Sequence, residues 1–82
     1  MTKEERTRLV DSLRASNPYA QPAAIMIYVD ALAEYRHAQA EIEKHGTVMM
    51  KNGAPIENPY LKVRDRAAKM LLATRIKTKE LP

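Results

Sequence analysis

The sequence has no cysteine, no phenylalanine and no tryptophan, and only two glycines among 82 residues. Without cysteine there are neither disulfides nor thiolate metal sites. With glycine confined to Gly46 and Gly53 there is no GxxxxGK[ST] phosphate loop and no glycine-rich dinucleotide turn, so nothing supports nucleotide hydrolysis by this chain alone. Four tyrosines leave core anchoring to Leu, Ile, Val, Met and Ala, and a small chain with so little aromatic mass often gains stability by self-association. No apolar run approaches the roughly 20 residues that cross a bilayer. The opening Met1-Thr2-Lys3-Glu4-Glu5-Arg6 lacks the apolar stretch of a signal peptide. These absences lead to the expectation of a small, soluble, cytoplasmic protein with one modest core.

What is present is helical periodicity with clear punctuation. Thr2 followed three residues later by Glu5 fits a capping box, and Leu9, Val10 and Leu13 recur at helical spacing, which predicts a short helix from about Thr2 to Arg14. Pro18 and Pro22 push the residues before them out of the α region, so residues 15–22 read as a linker. From Pro22, a suitable first-turn residue, Ile25, Val29, Leu32, Tyr35, Ala38 and Ile42 build one apolar stripe until Gly46 offers a stop. A long helix from about Pro22 to His45 is predicted. Alanines at 31, 33, 38 and 40 favour helix and allow a neighbouring helix to approach closely.

Asn52-Gly53 then sits between two short apolar runs and tolerates the positive φ angles of a type I′ turn, which predicts a small β-hairpin. Pro55 cannot donate to a ladder, so the second arm is short or lies at an edge. Asn58-Pro59 supplies a cap and a first-turn proline, and Tyr60, Val63, Ala67, Met70, Leu71 and Thr74 return to helical spacing, predicting a last helix from about Pro59 to Lys77. The fold class is therefore mainly α: a short N-terminal helix, then two long antiparallel helices joined by a small β-hairpin. Residues 1–21 form the N-terminal helix and linker, and residues 22–82 a helical-hairpin oligomerisation domain with the β-hairpin inserted. Ile25, Val29, Leu32 and Tyr35 are the expected oligomer interface.

The net charge of +4 is unevenly placed. Residues 58–82 hold seven basic and two acidic groups, whereas residues 22–57 hold three basic and five acidic ones. Such a concentration on one helix is the usual electrostatic footprint of nucleic-acid binding, and Lys62, Lys69, Arg75 and Lys77 are the expected phosphate contacts. Arg64, Arg66 and Lys79 could join them. The plainer reading is a solvated helix face whose cations suit a helix C-terminus. No aromatic residue interleaves these cations in the sequence, as base stacking would want.

Other chemistry has less support. His37 and Glu41 share a helix face at a spacing compatible with two metal ligands, yet no matching cluster accompanies them, so they read as surface polar residues and neither a metal nor a cofactor is expected. Asp30, Glu34, Glu41 and Glu43 read as a solvated face or as ion-pair partners, not as an acid–base pair. Met26, Met49 and Met50 read as packing groups.

The block Tyr28-Val29-Asp30-Ala31-Leu32-Ala33-Glu34-Tyr35-Arg36, then Glu43-Lys44-His45-Gly46-Thr47-Val48, then Asn52-Gly53-Ala54-Pro55-Ile56-Glu57-Asn58-Pro59-Tyr60, resembles the bacteriophage terminase small-subunit family. The resemblance spans about Ile25 to Leu72. It implies a non-enzymatic protein that assembles as a ring in the host cytoplasm, binds viral duplex DNA and regulates a separate large subunit that owns the ATPase and nuclease. The residues up to Gln21 are too few for a helix-turn-helix, so DNA contact is expected through phosphates more than through base reading. Two other classes stay open: a small transcriptional or nucleoid DNA-binding protein, and a helical adaptor whose basic tail docks an acidic partner.

Overall fold

The computed structural model describes residues 1–78, and over them it contains α1 (Lys3–Ser16), α2 (Pro22–His45), β1 (Val48–Lys51), β2 (Ala54–Glu57) and α3 (Tyr60–Ala73). The chain is mainly helical, with an antiparallel two-strand hairpin between α2 and α3 and with those two helices packed together. Lys79 lies outside the described residues.

The observed boundaries have identifiable causes. The Thr2 hydroxyl accepts from the Glu5 amide at 3.1 Å, which starts α1 as the capping pattern predicted. The helix runs two residues past Arg14, to Ser16, and Asn17 closes it: its backbone and side-chain amides both donate to the Leu13 carbonyl, at 2.8 and 2.9 Å. Pro22 opens α2 in its first turn. Gly46, at φ +81°, ends it, with its amide donating to the Ile42 carbonyl at 2.7 Å.

In the hairpin, Asn52 (φ 53°) and Gly53 (φ 77°) hold the two positive angles of a type I′ turn, and the register pairs Lys51 with Ala54, Met50 with Pro55, Met49 with Ile56 and Val48 with Glu57. Counting outward from the turn, alternation places Met50 and Pro55 in a non-hydrogen-bonded pair, so the proline's missing N–H costs the ladder nothing. Asn58 then fastens the hairpin to both helices. It is fully buried; its amide donates to the Thr47 carbonyl at 2.9 Å, its side chain donates to the Gly46 carbonyl at 2.7 Å, and its side-chain oxygen accepts from the Tyr60 amide at 3.0 Å to start α3.

The end of α3 differs from the sequence expectation. The helix stops at Ala73, four residues before Lys77. The Thr74 hydroxyl turns back to donate to the Leu71 carbonyl at 2.8 Å, and Arg75 adopts a left-handed φ of 56°. That conformation terminates a helix. Ile76 then packs against the core.

The core is built by all three helices. Leu13 from α1, Leu71 from α3, and Ile25, Tyr28, Val29 and Leu32 from α2 form one buried cluster. Leu9, Val10, Tyr35 and Ile76 pack against its rim. Further along, Ala38 and Ile42 of α2 and Ala67 of α3 are also buried, with the two alanines small enough for α2 and α3 to approach closely. The residues expected at an oligomer interface therefore serve this chain's own interior: Ile25, Val29 and Leu32 are at most 3% exposed, and Tyr35 is half-buried. Their apolar stripe is accounted for by α1 and α3 without a second copy.

Candidate nucleic-acid interface

The basic residues of the C-terminal third divide by structure into two groups. Lys62, Arg66 and Lys69 are all exposed on α3. At 3.6 residues per turn, spacings of four and seven put them on one stripe, with about 10 Å of helix axis from first to last. Arg64 lies off this stripe. Half-buried, it donates to the Gln39 side chain of α2 at 3.1 Å and lies 3.9 Å from Asp65, so its charge is partly spent on holding α3 to α2. Arg66 is thus better placed than Arg64 to meet an external anion.

Arg75 and Lys77, expected on the same helix as Lys62 and Lys69, stand elsewhere. Both lie beyond the helix end, next to the loop that joins α1 to α2. The cause is the Asn17 side chain, which donates to the Lys77 carbonyl and accepts from the Lys77 amide, both at 2.8 Å. This two-point bond draws the chain after α3 across the α1–α2 loop. Tyr19, in that loop, is 99% exposed. Sequence spacing gave no sign of this meeting, because 60 residues separate Asn17 from Lys77.

A few other titratable groups meet partners at the surface. Arg6 of α1 forms an ion pair with Asp30 of α2, joining the two helices at the surface. Glu41, considered with His37 as a metal ligand, instead lies 3.4 Å from His45, one turn along. His37 meets Tyr60 edge to face, with centroids 5.5 Å apart and planes at 83°, linking α2 to the first turn of α3. Among the described residues no group of three His, Asp or Glu side chains is arranged to hold a metal ion. No helix there is long and apolar enough to cross a membrane.

A family model described as phage terminase, small subunit, matches residues 2–76, nearly all of the described chain. The chain belongs to that family. No curated protein and no solved structure matches it. The match begins at the α1 cap and ends at Ile76, so it takes in α1 and the Asn17 loop, which the resemblance read from Ile25 to Leu72 had left out. Terminase small subunits are generally non-catalytic, in keeping with a chain that lacks any phosphate loop.

Proposed function

We propose that this terminase small subunit is a ring-forming DNA-holding protein that binds the phosphates of viral duplex DNA and regulates the large ATPase and nuclease subunit in the host cytoplasm. The observation that carries the DNA-binding part is the exposed stripe of Lys62, Arg66 and Lys69 on α3, read on a chain whose family serves genome packaging. Three cations on one helix face, with Arg64 held back by Gln39, form a strip suited to a line of phosphates. They carry no base-reading geometry of their own, so the binding is expected to be salt-sensitive and tolerant of sequence. Arg75 and Lys77 extend the positive surface at the far end of the helix.

Assembly has separate support. The radius of gyration is 15.1 Å, against about 12 Å for a compact chain of this length. An elongated chain leaves apolar surface uncovered, and Val48 and Met50 are 59% and 68% exposed on one face of the hairpin. We assign the contact between copies to that face, in place of the buried α2 stripe. A ring would repeat the α3 stripe many times around one duplex, and effective concentration would make weak individual sites sufficient.

The test is a salt titration of duplex binding for the wild type and for a variant with Lys62, Arg66 and Lys69 changed to Gln, each checked for unchanged assembly. Each lost phosphate contact lowers the slope of log K against log salt by about 0.9. The variant is expected to lose up to about 2.7 of that slope per bound chain. An unchanged slope would remove α3 from the interface, and absence of duplex binding by the wild type at low salt would favour the protein-adaptor class.

A further inference from the structure

We propose that the groove between the α1–α2 loop and residues 74–77 is a second nucleic-acid site, one that takes a single strand: Tyr19 stacks on an unpaired base while Arg75 and Lys77 meet the flanking phosphates. The groove is shallow and open to solvent, and Tyr19, Arg75 and Lys77 all line it.

The argument begins with Tyr19. At 99% exposure its ring contributes nothing to the core, so folding does not explain its placement. Its backbone is nevertheless held. Pro18 precedes it, the Ala20 amide donates to the Asn17 carbonyl at 3.0 Å, and Asn17 is itself bonded at two points to Lys77. With the backbone held, only the two side-chain torsions of Tyr19 remain to be ordered when its free aromatic face stacks on a base.

The cations are placed with similar specificity. Arg75 sits at φ 56°, a conformation that a side-chain-bearing residue seldom adopts, and this turn carries the chain from the helix end toward Lys77 and Asn17. Among the described residues that line the groove there is no carboxylate. Arg6 and Arg64, by contrast, each have an aspartate beside them. The field at the groove is therefore positive, and α2 begins there with no side-chain cap and no acid in its first turn, which adds to the same sign.

A positive groove with an open aromatic face matches an anion that carries its own π surface. Duplex DNA keeps its base faces stacked inside the helix, whereas a single strand offers bases and phosphates together. An acidic peptide would satisfy the cations but has no need of the ring. The inference shares the polyanion-handling reading above, yet it does not depend on the α3 stripe.

Fluorescence anisotropy with a labelled oligothymidylate of about ten nucleotides, and with a blunt duplex, tests it on the full chain at low salt. Tyr19→Ala is expected to weaken oligothymidylate binding at least about fivefold while leaving duplex affinity and thermal stability unchanged, because the ring is exposed. Tyr19→Phe keeps the stacking face and should bind the single strand as the wild type does. Changing Arg75 and Lys77 to Gln should lower the single-strand salt slope by about 1.4. Equal oligothymidylate affinity for Tyr19→Ala and wild type would overturn the site. So would the absence of single-strand binding by the wild type, or displacement of the strand by polyglutamate with no sensitivity to Tyr19, which would make the groove a dock for an acidic protein. The α3 variant separates the two readings: loss of duplex binding with oligothymidylate binding retained places two sites on one chain, and retention of both removes only the α3 assignment.

Discussion

The Asn17 carboxamide and the Lys77 backbone form a reciprocal pair of hydrogen bonds, each 2.8 Å long, joining residues 60 apart in sequence. The geometry imitates one rung of a β-ladder, with a side-chain amide in place of a second strand. The same Asn17 nitrogen also reaches the Leu13 carbonyl at 2.9 Å, so one side chain both closes α1 and holds the chain beyond α3.

Replacing Asn17 with Ala is expected to lower stability by about 1–2 kcal/mol, since the Lys77 carbonyl and amide lose their partner at a partly solvated site and the Leu13 carbonyl keeps only the backbone amide of residue 17. For a domain of this size that corresponds to a fall in Tm of several degrees, about 4–8 °C per kcal/mol. The specific signature is faster hydrogen exchange at the Lys77 amide. Wild-type exchange at that amide would show that the segment is held by Ile76 packing alone.

Asn58 bears on a different junction, where the hairpin meets α2 and α3. It is fully buried with every polar group satisfied, so Asn58→Ala should cost about 2–3 kcal/mol by leaving the Gly46 carbonyl and the Tyr60 amide unpartnered. Asn58→Asp keeps the acceptor for Tyr60 but sets a carboxylate oxygen against the Gly46 carbonyl. It should therefore be no better than Ala despite its capping ability. Thermal denaturation ranks the three proteins, and an aspartate variant of wild-type stability would show that the 2.7 Å contact to Gly46 contributes nothing.

Gly53 tests the turn. At φ +77° with open space around its α-carbon, any penalty for a side chain there comes from backbone conformation and not from a clash. Gly53→Val should cost roughly 1 kcal/mol or more, because a β-branched residue disfavours the left-handed region. Gly53→Asn should cost less, since Asn tolerates that region. Equal stabilities for Val and Asn would mean that the hairpin opens at little cost and that its turn geometry is not what holds the segment.

The parts of this fold that were legible in the sequence are those governed by local chemistry. Pro22 and Gly46 bracket α2, Asn52-Gly53 sets the hairpin register, and Asn58-Pro59 starts α3, each through φ restrictions or capping bonds that involve near neighbours. The end of α3 was not legible. Residues 74–77 contain neither glycine nor proline, and what ends the helix is a left-handed Arg75 together with Ile76 packing and the grip of Asn17, contacts made across the whole chain. For the same reason Arg75 and Lys77 were assigned to a helix face they do not occupy, and Tyr19, reading only as a linker residue, was not assigned at all. The α2 stripe shows a related limit: periodicity tells that Ile25, Val29 and Leu32 are buried, but it is silent on whether a second copy or α1 and α3 of the same chain covers them.

The last prediction separates those two roles. Leu32 is 3% exposed in the cluster that joins the three helices, so Leu32→Asp puts an unpaired carboxylate into the only large core the described chain has and should unfold it, with loss of the helical circular dichroism signal. Met50, 68% exposed on the hairpin face beside Pro55 and Val48, is not a member of that core cluster. Met50→Asp should leave the helical signal and the monomer's stability intact, because an exposed carboxylate carries little desolvation cost. In a ring built through the hairpin face the same aspartate would be buried at every contact between copies, and the repeated penalty should shift the protein from a large oligomer to smaller species. Size-exclusion chromatography with light scattering, beside circular dichroism on the same samples, reads both effects. A folded Met50→Asp protein that keeps the wild-type mass would remove the hairpin face from the assembly surface. A Leu32→Asp protein that stays helical while losing mass would return the α2 stripe to that role.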